Sequence, residues 1–171
     1  MNAVELLQYS FKSAFDILRD VTADVTQEQA DWVPPGTANP IGATYWHVIS
    51  GVDQILFGWG LGQPPLGATE GWDEKTVVYS PPLKEGERTA PLREVRIDLE
   101  AMHGYTHAVV EATQAWLATL SDEDLERIIE TPLGEQNLAQ LLATFGLWHI
   151  NAHCGEIAAL KGCQGGRGYS F

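Results

Sequence analysis

The sequence predicts an all-α fold, a four-helix bundle with a long irregular connection between its second and third helices. Apolar residues recur at intervals of three and four along four long segments, as they do on helices with one buried face. No comparably strong pattern of two-residue alternation indicates a β-strand ladder. At 171 residues, with 44% hydrophobic side chains, the chain suits one domain, residues 1–171, around one core.

The first predicted helix starts close to the N-terminus. It carries one apolar stripe with helical spacing, formed by Val4, Leu7, Phe11, Phe15, Leu18 and Val21. A capping-box pattern at Thr26 and Gln29 predicts a short helical turn after it. The Pro-Pro-Gly sequence of residues 34–36 ends that turn near Trp32, so a connection follows.

The second predicted helix begins with Asn39 as its N-cap and Pro40 in the first helical position, a combination favoured at helix starts. Gly58 and Gly60 are expected to end it. His47 lies in the middle of this helix. Its apolar stripe comprises Ile41, Tyr45, Val48, Val52, Ile55 and Leu56.

Residues 60–89 separate the second predicted helix from the third and are rich in Gly, Pro and charged residues. Only residues 76–79, just before a Ser-Pro-Pro sequence, favour a β-strand. A segment of this length without regular structure is uncommon in a compact domain unless it is functional or mobile. The connection is therefore a candidate cover for a functional site.

The third predicted helix extends from about Pro91 to Leu120. Ser121 and Asp124 predict a short capped turn after it, which the Thr-Pro-Leu-Gly sequence of residues 131–134 breaks. The stripe of the third helix is the most regular in the chain and comprises Leu92, Val95, Leu99, Met102, Thr106, Val109, Thr113, Trp116 and Leu120.

The fourth predicted helix begins near Asn137 and ends at Lys161 and Gly162, with a cation in the last turn and a glycine in the C′ position. A glycine-rich tail follows it. The tail closes on Tyr169 and Phe171, two aromatic side chains that are candidates for docking onto the domain.

Charge and composition exclude several classes of function. Ten Lys and Arg residues against 23 Asp and Glu give a net charge of -13 and a pI of about 4.6, which argues against a nucleic-acid partner. The N-terminus lacks the pattern of a signal peptide, and no apolar run is long enough to cross a membrane. We expect a soluble cytoplasmic protein without a membrane partner, whose two cysteines, Cys154 and Cys163, are reduced.

Two of the five histidines, His149 and His153, lie four residues apart and therefore share one face of the fourth predicted helix. Both fall on its apolar stripe and are expected to point inward. On the second predicted helix, Thr44 and Ser50 give the face around His47 a polar lining. Facing helices of a bundle assemble metal sites in this way. The apolar stripe of the fourth helix comprises Leu138, Leu142, Phe145, Ile157 and Leu160.

Together, His47, His149 and His153 predict a site for a divalent transition metal. Three neutral imidazoles suit Zn or Ni best, with Fe, Mn or Cu as alternatives, and three protein ligands leave positions open for water or a substrate. The other interpretation is a metal-free bundle whose histidines are hydrogen-bonded core residues. His103 and His107 share the four-residue spacing but lie at the margin of their stripe, so they are not expected to bind metal.

Other side chains offer weaker candidates. Glu156 shares the face of His149 and His153, where it is a candidate supporting partner, extra ligand or general base, or else a capping or surface residue. Gln54 is expected to be a solvated or interhelical amide. Cys154 is expected to pack in the interior rather than act as a nucleophile, whereas Trp46 and Trp148 are expected to be core or interface aromatics.

These motifs resemble the DinB/YfiT-like superfamily of bacterial four-helix proteins, which also includes the metal-binding domain of mycothiol-dependent maleylpyruvate isomerase. The resemblance covers most of the chain apart from residues 60–89. The matching elements are Trp32-x-Pro34, Ala38-Asn39-Pro40-Ile41-Gly42, Trp46-His47, Trp148-His149-x-x-x-His153-x-Gly155-Glu156-Ile157 and Leu160-Lys161-Gly162.

The resemblance implies that His47, His149 and His153 hold the metal, and that the protein is a homodimer. For activity it implies a metal-dependent enzyme that transfers or isomerises a substrate with a low-molecular-weight thiol, or one that hydrolyses a small-molecule substrate. Thiol chemistry is favoured slightly, on the resemblance alone. The alternative is a non-catalytic, stress-associated dimer that binds metal.

Overall fold

The computed structural model describes residues 1–83 and 91–170, and most of these residues are helical, as the sequence predicts. Four helices are long: α1 (Ala3–Thr22), α3 (Ile41–Asp53), α6 (Leu99–Leu117) and α8 (Trp148–Cys163). Four are single turns or little more: α2 (Gln27–Asp31), α4 (Leu66–Thr69), α5 (Trp72–Thr76) and α7 (Leu138–Gln140).

The first helix, α1, follows its predicted stripe closely. Asn2 caps it, since the Asn2 side chain accepts a hydrogen bond from the Glu5 backbone while the Glu5 carboxylate accepts one from the Asn2 backbone. The short helix α2 is capped reciprocally by Thr26 and Gln29, which confirms the predicted turn. The buried face of α1 directs its largest side chains into the core, where they include Phe11, Phe15 and Leu18.

Both helices that carry candidate metal ligands contain a π-helical segment, in which the turn is wider than in an α-helix. Helix α3 continues as a π-helix over Gln54–Leu61, and α7 leads into α8 through a π-helix over Leu141–Leu147. Gly58 and Gly60 therefore do not end the second predicted helix, since they lie inside the π-segment. The chain leaves that segment at Gly62, which has the left-handed φ of 69° that glycine adopts without strain.

Helix boundaries differ from the prediction at two other starts. Helix α3 begins at Ile41 with Pro40 in the N-cap position, one residue later than predicted, and no side chain caps it. Helix α6 begins at Leu99 rather than near Pro91, because the Asp98 side chain accepts a hydrogen bond from the Ala101 backbone and caps the helix there. A single 3₁₀ turn, Leu92–Glu94, and a short strand occupy the residues before α6.

Two small antiparallel strand pairs accompany the helices, and the first strand lies within residues 76–79, where the sequence favours one. Strand β1 (Val77–Tyr79) pairs with β2 (Arg96–Ile97), and β3 (Ile128–Thr131) pairs with β4 (Gly134–Asn137). The Thr-Pro-Leu-Gly sequence is thus the turn of the second pair, where Gly134 has a φ of 107°. The connection predicted to be irregular contains α4, α5 and β1, while residues 84–89 of it lie outside the described residues.

The long helices enclose the core. Helix α3 packs against α8 and α6, and α1 packs against the same two helices. Fully buried aromatic and aliphatic side chains fill the space between them, and each contributes roughly 1.5–3 kcal/mol by leaving water. This core includes Phe11, Phe15, Leu18, Ile41, Tyr45, Ile49, Leu56, Met102, Tyr105, Leu117, Leu138 and Leu142.

A buried carboxylate fastens the connection to the core. Asp53 is fully buried at the end of α3, and its Oδ1 accepts a hydrogen bond of 3.0 Å from the Leu66 backbone. Its Oδ2 accepts hydrogen bonds from the Gly67 backbone at 2.8 Å and from the Tyr105 hydroxyl at 2.6 Å. One side chain therefore joins α3, α4 and α6, and all three donors are satisfied without water.

The C-terminal end of the fourth predicted helix lies slightly beyond its expected position. Gly162 is inside α8 rather than at C′, and the left-handed residue is Gly165, with a φ of 77°. Lys161 is buried and donates to the Val21 carbonyl and to Asp24, which ties α8 to the end of α1. Tyr169 docks on the core as predicted, whereas Phe171 lies outside the described residues.

Candidate metal centre

Three imidazoles meet where α3 packs against α8. His47 comes from α3, and His149 and His153 come from successive turns of α8. The ring centroids lie 5.0 Å apart for His47 and His149, 4.9 Å for His47 and His153, and 4.6 Å for His149 and His153. One nitrogen of each ring lies within 4.8 Å of the others, a grouping that is able to hold a metal ion.

A glycine makes this close approach possible. Gly51 lies one turn after His47 on α3, and a Cβ built on it would stand 2.6 Å from His149 Nε2. That separation is shorter than van der Waals contact, so any side chain at position 51 displaces the His149 ring. Gly51 is not among the residues predicted for the site, although a glycine in the interior of an apolar helix is a signal for close approach.

Replacing Gly51 with Ala is expected to weaken metal binding by about 10- to 100-fold, because the new methyl group moves His149 out of position. Competition with a chromophoric chelator measures the affinity. Gly162→Ala is the matched control, since a Cβ there meets nothing within 4 Å and α8 gains helix propensity. Equal metal affinities in the two variants would contradict the proposed role of Gly51.

Glu156 orients one of the three histidines, His47, His149 and His153, which together form the histidine triad. Its Oε2 lies 2.8 Å from His153 Nδ1, and both side chains are partly shielded from solvent. With an ionised carboxylate, the proton of a neutral His153 sits on Nδ1 and is donated to Glu156. This hydrogen bond leaves Nε2 of His153 free as a ligand and holds the ring, which is the supporting role that sequence analysis gave as one option.

Burial and mutual repulsion keep two of the imidazoles neutral. Burial, the nearby His153 and His47 lower the pKa of His149 to about 4. Burial and then His153 also lower the pKa of His47, an effect that the charge of Glu156 opposes. A metal competes with protons for these nitrogens, so imidazoles that are neutral at pH 7 are in the state that binds a metal.

The same pKa shifts predict how the stability of the metal-free protein depends on pH. His149 has a folded-state pKa of about 4, below the 6.5 of an unfolded chain, so only the unfolded state gains a proton as the pH falls between these values. The free energy of unfolding is therefore expected to drop by about 2 kcal/mol from this group between pH 6.5 and 4.

Urea unfolding of chelator-treated protein at pH 7, 5.5 and 4 measures this dependence. Comparison with His149→Gln isolates the contribution of the imidazole, since carboxylates elsewhere titrate in both proteins. The variant is expected to lose less stability on acidification. Parallel pH profiles for the two proteins would contradict the lowered pKa of His149.

The geometry of the three histidines fits a transition metal. Two nitrogens bound to one ion at about 2.0–2.1 Å lie at most about 4.2 Å apart, so only small ring movements separate this arrangement from coordination. Imidazole nitrogens suit Zn, Ni, Cu and Fe, and a set of three leaves coordination positions for other ligands.

A cavity of about 530 Å³ opens beside His47. Its described lining comes from α3, from β1 and the residues that follow it, and from the residues that precede β2. Sequence analysis anticipated a cover for the site in this part of the chain but not these residues. The described lining consists of Trp46, His47, Ser50, Gly51, Val77, Ser80, Pro81, Leu83, Leu92 and Val95.

The other two histidines do not join the triad. His103 lies near Tyr45, with Nδ1 3.3 Å from the tyrosine hydroxyl, and burial lowers its pKa. His107 is exposed and approaches Glu111 at 3.3 Å. Neither belongs to a metal-binding group among the described residues.

The side chains that were weaker candidates for a role at the site lie in different environments. Cys154 is buried, and its burial raises the pKa of the thiol to about 12, so it packs as predicted and is a poor nucleophile. Cys163 is also unpaired. Gln54 is exposed, in agreement with a solvated amide. Trp46 packs against the core, whereas Trp148 is 65% exposed and is therefore no core residue.

Comparisons with known proteins identify the family. The family described as the DinB superfamily matches residues 10–157, which is most of the chain. Among solved structures, a conserved protein of Enterococcus faecalis is similar, with a TM-score of 0.76 and 17% sequence identity over 94% of this chain and 96% of that one. At this identity the likeness concerns the fold alone.

No curated protein sequence matches this chain. Within the described residues, no helix has both the length and the apolar character needed to cross a membrane. The family match extends from α1 into α8 and includes all three histidines of the triad. The chain belongs to the DinB superfamily.

Proposed function

We propose that the chain binds a divalent transition metal through His47, His149 and His153 and is a metal-dependent enzyme. The reaction is of the thiol-transferase or isomerase type, or a hydrolysis. Zinc or nickel is the preferred metal, before iron, manganese or copper. The scaffold is a four-helix bundle made of α1, α3, α6 and α8, with the connection between α3 and α6 lying over one side of the centre.

One observation carries this proposal: three imidazoles from two helices converge within 4.8 Å although each is at least partly withdrawn from water. Burying polar rings side by side costs free energy unless they share a partner. His153 donates to Glu156, but His149 makes only a long contact of 3.5 Å with the His47 carbonyl. A shared metal ion would compensate all three imidazoles at once.

The surrounding residues prepare the three histidines to bind a metal ion that keeps an open coordination position. Glu156 holds the ring of His153, Gly51 gives His149 room, and the lowered pKa values of His47 and His149 keep both rings unprotonated at neutral pH. A bound divalent metal supplies Lewis acidity, which makes water or a thiol nucleophilic near pH 7. The same centre therefore serves either reaction type.

An exposed aromatic side chain beside the centre supports a homodimer. Trp148 is 65% exposed at the start of α8, next to His149, and a large exposed aromatic side chain is typical of an interface. A homodimer formed through this face would place two metal centres in one assembly. Such a dimer fits the proposed enzyme and equally the alternative, in which the protein binds metal and turns over no substrate.

Metal analysis of freshly purified protein tests the proposal. Elemental analysis is expected to find one divalent metal per chain, and the cobalt-substituted protein is expected to show a visible spectrum that changes when small thiols are added. The absence of bound metal after reconstitution would refute the proposed function. A bound metal whose spectrum responds to neither thiols nor hydrolysable esters and amides would support the non-catalytic alternative.

A further inference from the structure

The cavity beside His47 is joined to the metal centre through two residues. His47 belongs both to the histidine triad and to the cavity wall. Gly51 lines the cavity as well, and it is the residue against which the His149 ring packs. A molecule in this cavity therefore lies against the same helical face of α3 that carries one candidate ligand and supports another.

The chemistry of the wall is mostly apolar. Val77, Pro81, Leu83, Leu92 and Val95 contribute apolar side chains to it. The polar side chains of the described lining are His47 and two serines, with the indole of Trp46, and none of the described lining residues is Asp, Glu, Lys or Arg. A charged group held here would lose water without gaining an ion-pair partner from these residues, which is unfavourable.

The size of the cavity indicates a small molecule. Its volume of about 530 Å³ lies within the range of small-molecule sites, roughly 300–1,000 Å³. Apolar walls with a few polar groups are also typical of such sites. A peptide-like thiol with several carboxylates would find no compensating cation among the described lining residues.

We propose that the substrate of the centre binds in this cavity and is a small molecule whose body, the part that lies against the cavity walls, is uncharged, apolar and about the size of one ring. This inference rests on the proposed metal function, because it assigns the substrate of that centre. The apolar walls hold the body, Ser50 and Ser80 offer hydroxyl groups to a polar substituent, and His47 marks the side on which the metal lies.

A charge series on one body tests the chemistry of the cavity. Benzyl alcohol, benzoate and benzylammonium share a ring and differ in charge, and calorimetry measures their binding to chelator-treated protein. Benzyl alcohol is expected to bind about tenfold more tightly than either ion, because only the two ions lose the hydration of a charged group on binding. Equal binding of the three probes, or tighter binding of an ion, would overturn the proposal.

Two neighbouring positions on β1 give matched variants. Val77 is half-buried and lines the cavity, whereas Val78 is 64% exposed and does not line it. Val77→Phe is expected to weaken benzyl alcohol binding by about tenfold by filling the cavity, and Val78→Phe is expected to leave it unchanged. Equal affinities in these two variants would overturn the location.

If circular dichroism shows that Val77→Phe does not fold, Ser80→Phe takes its place, because Ser80 lies at the exposed rim of the same cavity. An unchanged affinity in that folded variant would equally overturn the location.

Paramagnetic relaxation separates a failure of this inference from a failure of the metal function. In cobalt-loaded protein, the proton signals of bound benzyl alcohol are expected to broaden strongly, whereas zinc-loaded protein should show no such effect. Binding without broadening would overturn the link between cavity and centre. A protein that takes up no cobalt, yet still binds benzyl alcohol when metal-free, would overturn the metal function alone.

Discussion

His149→Ala is expected to lower the affinity for a divalent metal by more than about 100-fold, because it removes one of the three histidines that form the candidate centre among the described residues. The effect should exceed that of disturbing a supporting residue, which leaves all three nitrogens in place. Equilibrium dialysis followed by elemental analysis measures the bound metal per chain. Little or no metal is expected to remain in the variant at micromolar free metal.

The matched control is His107→Ala, which removes an exposed imidazole that belongs to no metal-binding group among the described residues. It is expected to retain the full metal content. Thermal unfolding of both metal-free variants checks that neither result comes from loss of the fold. An unchanged metal content in folded His149→Ala protein would refute the three-histidine centre.

Asp53→Ala is expected to reduce the free energy of unfolding by about 4 kcal/mol, since it leaves the Leu66 and Gly67 amides and the Tyr105 hydroxyl without their shared acceptor. In a chain of this length, the midpoint of thermal unfolding should fall by about 10 °C. Urea and thermal unfolding measure both quantities.

Asp16→Ala is the control for this substitution. Asp16 is partly exposed on α1, where it pairs with the more exposed Lys12 and Arg19, so its removal is expected to cost less than about 1 kcal/mol. Comparable losses for the two aspartates would show that Asp53 does not fasten the connection. Retained stability in Asp53→Ala would lead to the same conclusion.

The sequence predicts helices and helix faces correctly where the pattern is long and its residues are close together in the chain. The stripe of α1 is a continuous 3.6-residue pattern, and the pair His149 and His153 follows from helix spacing alone. His47 is different, because about a hundred residues separate it from the pair and no local rule joins them. The polar lining of its helix face made His47 a candidate, the family resemblance strengthened it, and the packing of α3 on α8 places it beside the pair.

The start of α6 shows why a regular stripe misleads. Leu92 and Val95 extend the three- and four-residue spacing of α6. However, Leu92 lies in a 3₁₀ turn, and Val95 lies directly before β2. Leu92 is partly buried and Val95 is fully buried there by tertiary contacts, so burial of residues outside a helix reproduces a spacing of three and four. The cap at Asp98 was the local signal that marks the true start.

The connection could not be predicted because its short elements depend on distant partners. Helices of four and five residues are unstable alone, since forming the first turn costs more free energy than a few hydrogen bonds return. Asp53 and Tyr105, which lie outside the connection, complete the hydrogen bonding around α4. The β1 strand likewise finds its partner about twenty residues later, at β2.

The π-helical segment just before α8 also sets a rule for aligning relatives with this chain. One residue more or less in residues 141–147 rotates everything after it by about 100° around the helix axis. If a relative with an unbroken α-helix in place of this π-helical segment is aligned with Leu138 and Leu142 and no gap is allowed, the wrong residue of the relative is matched to His149. An alignment should therefore match Trp148 and His149 first and place the gap within the π-helical segment, residues 141–147.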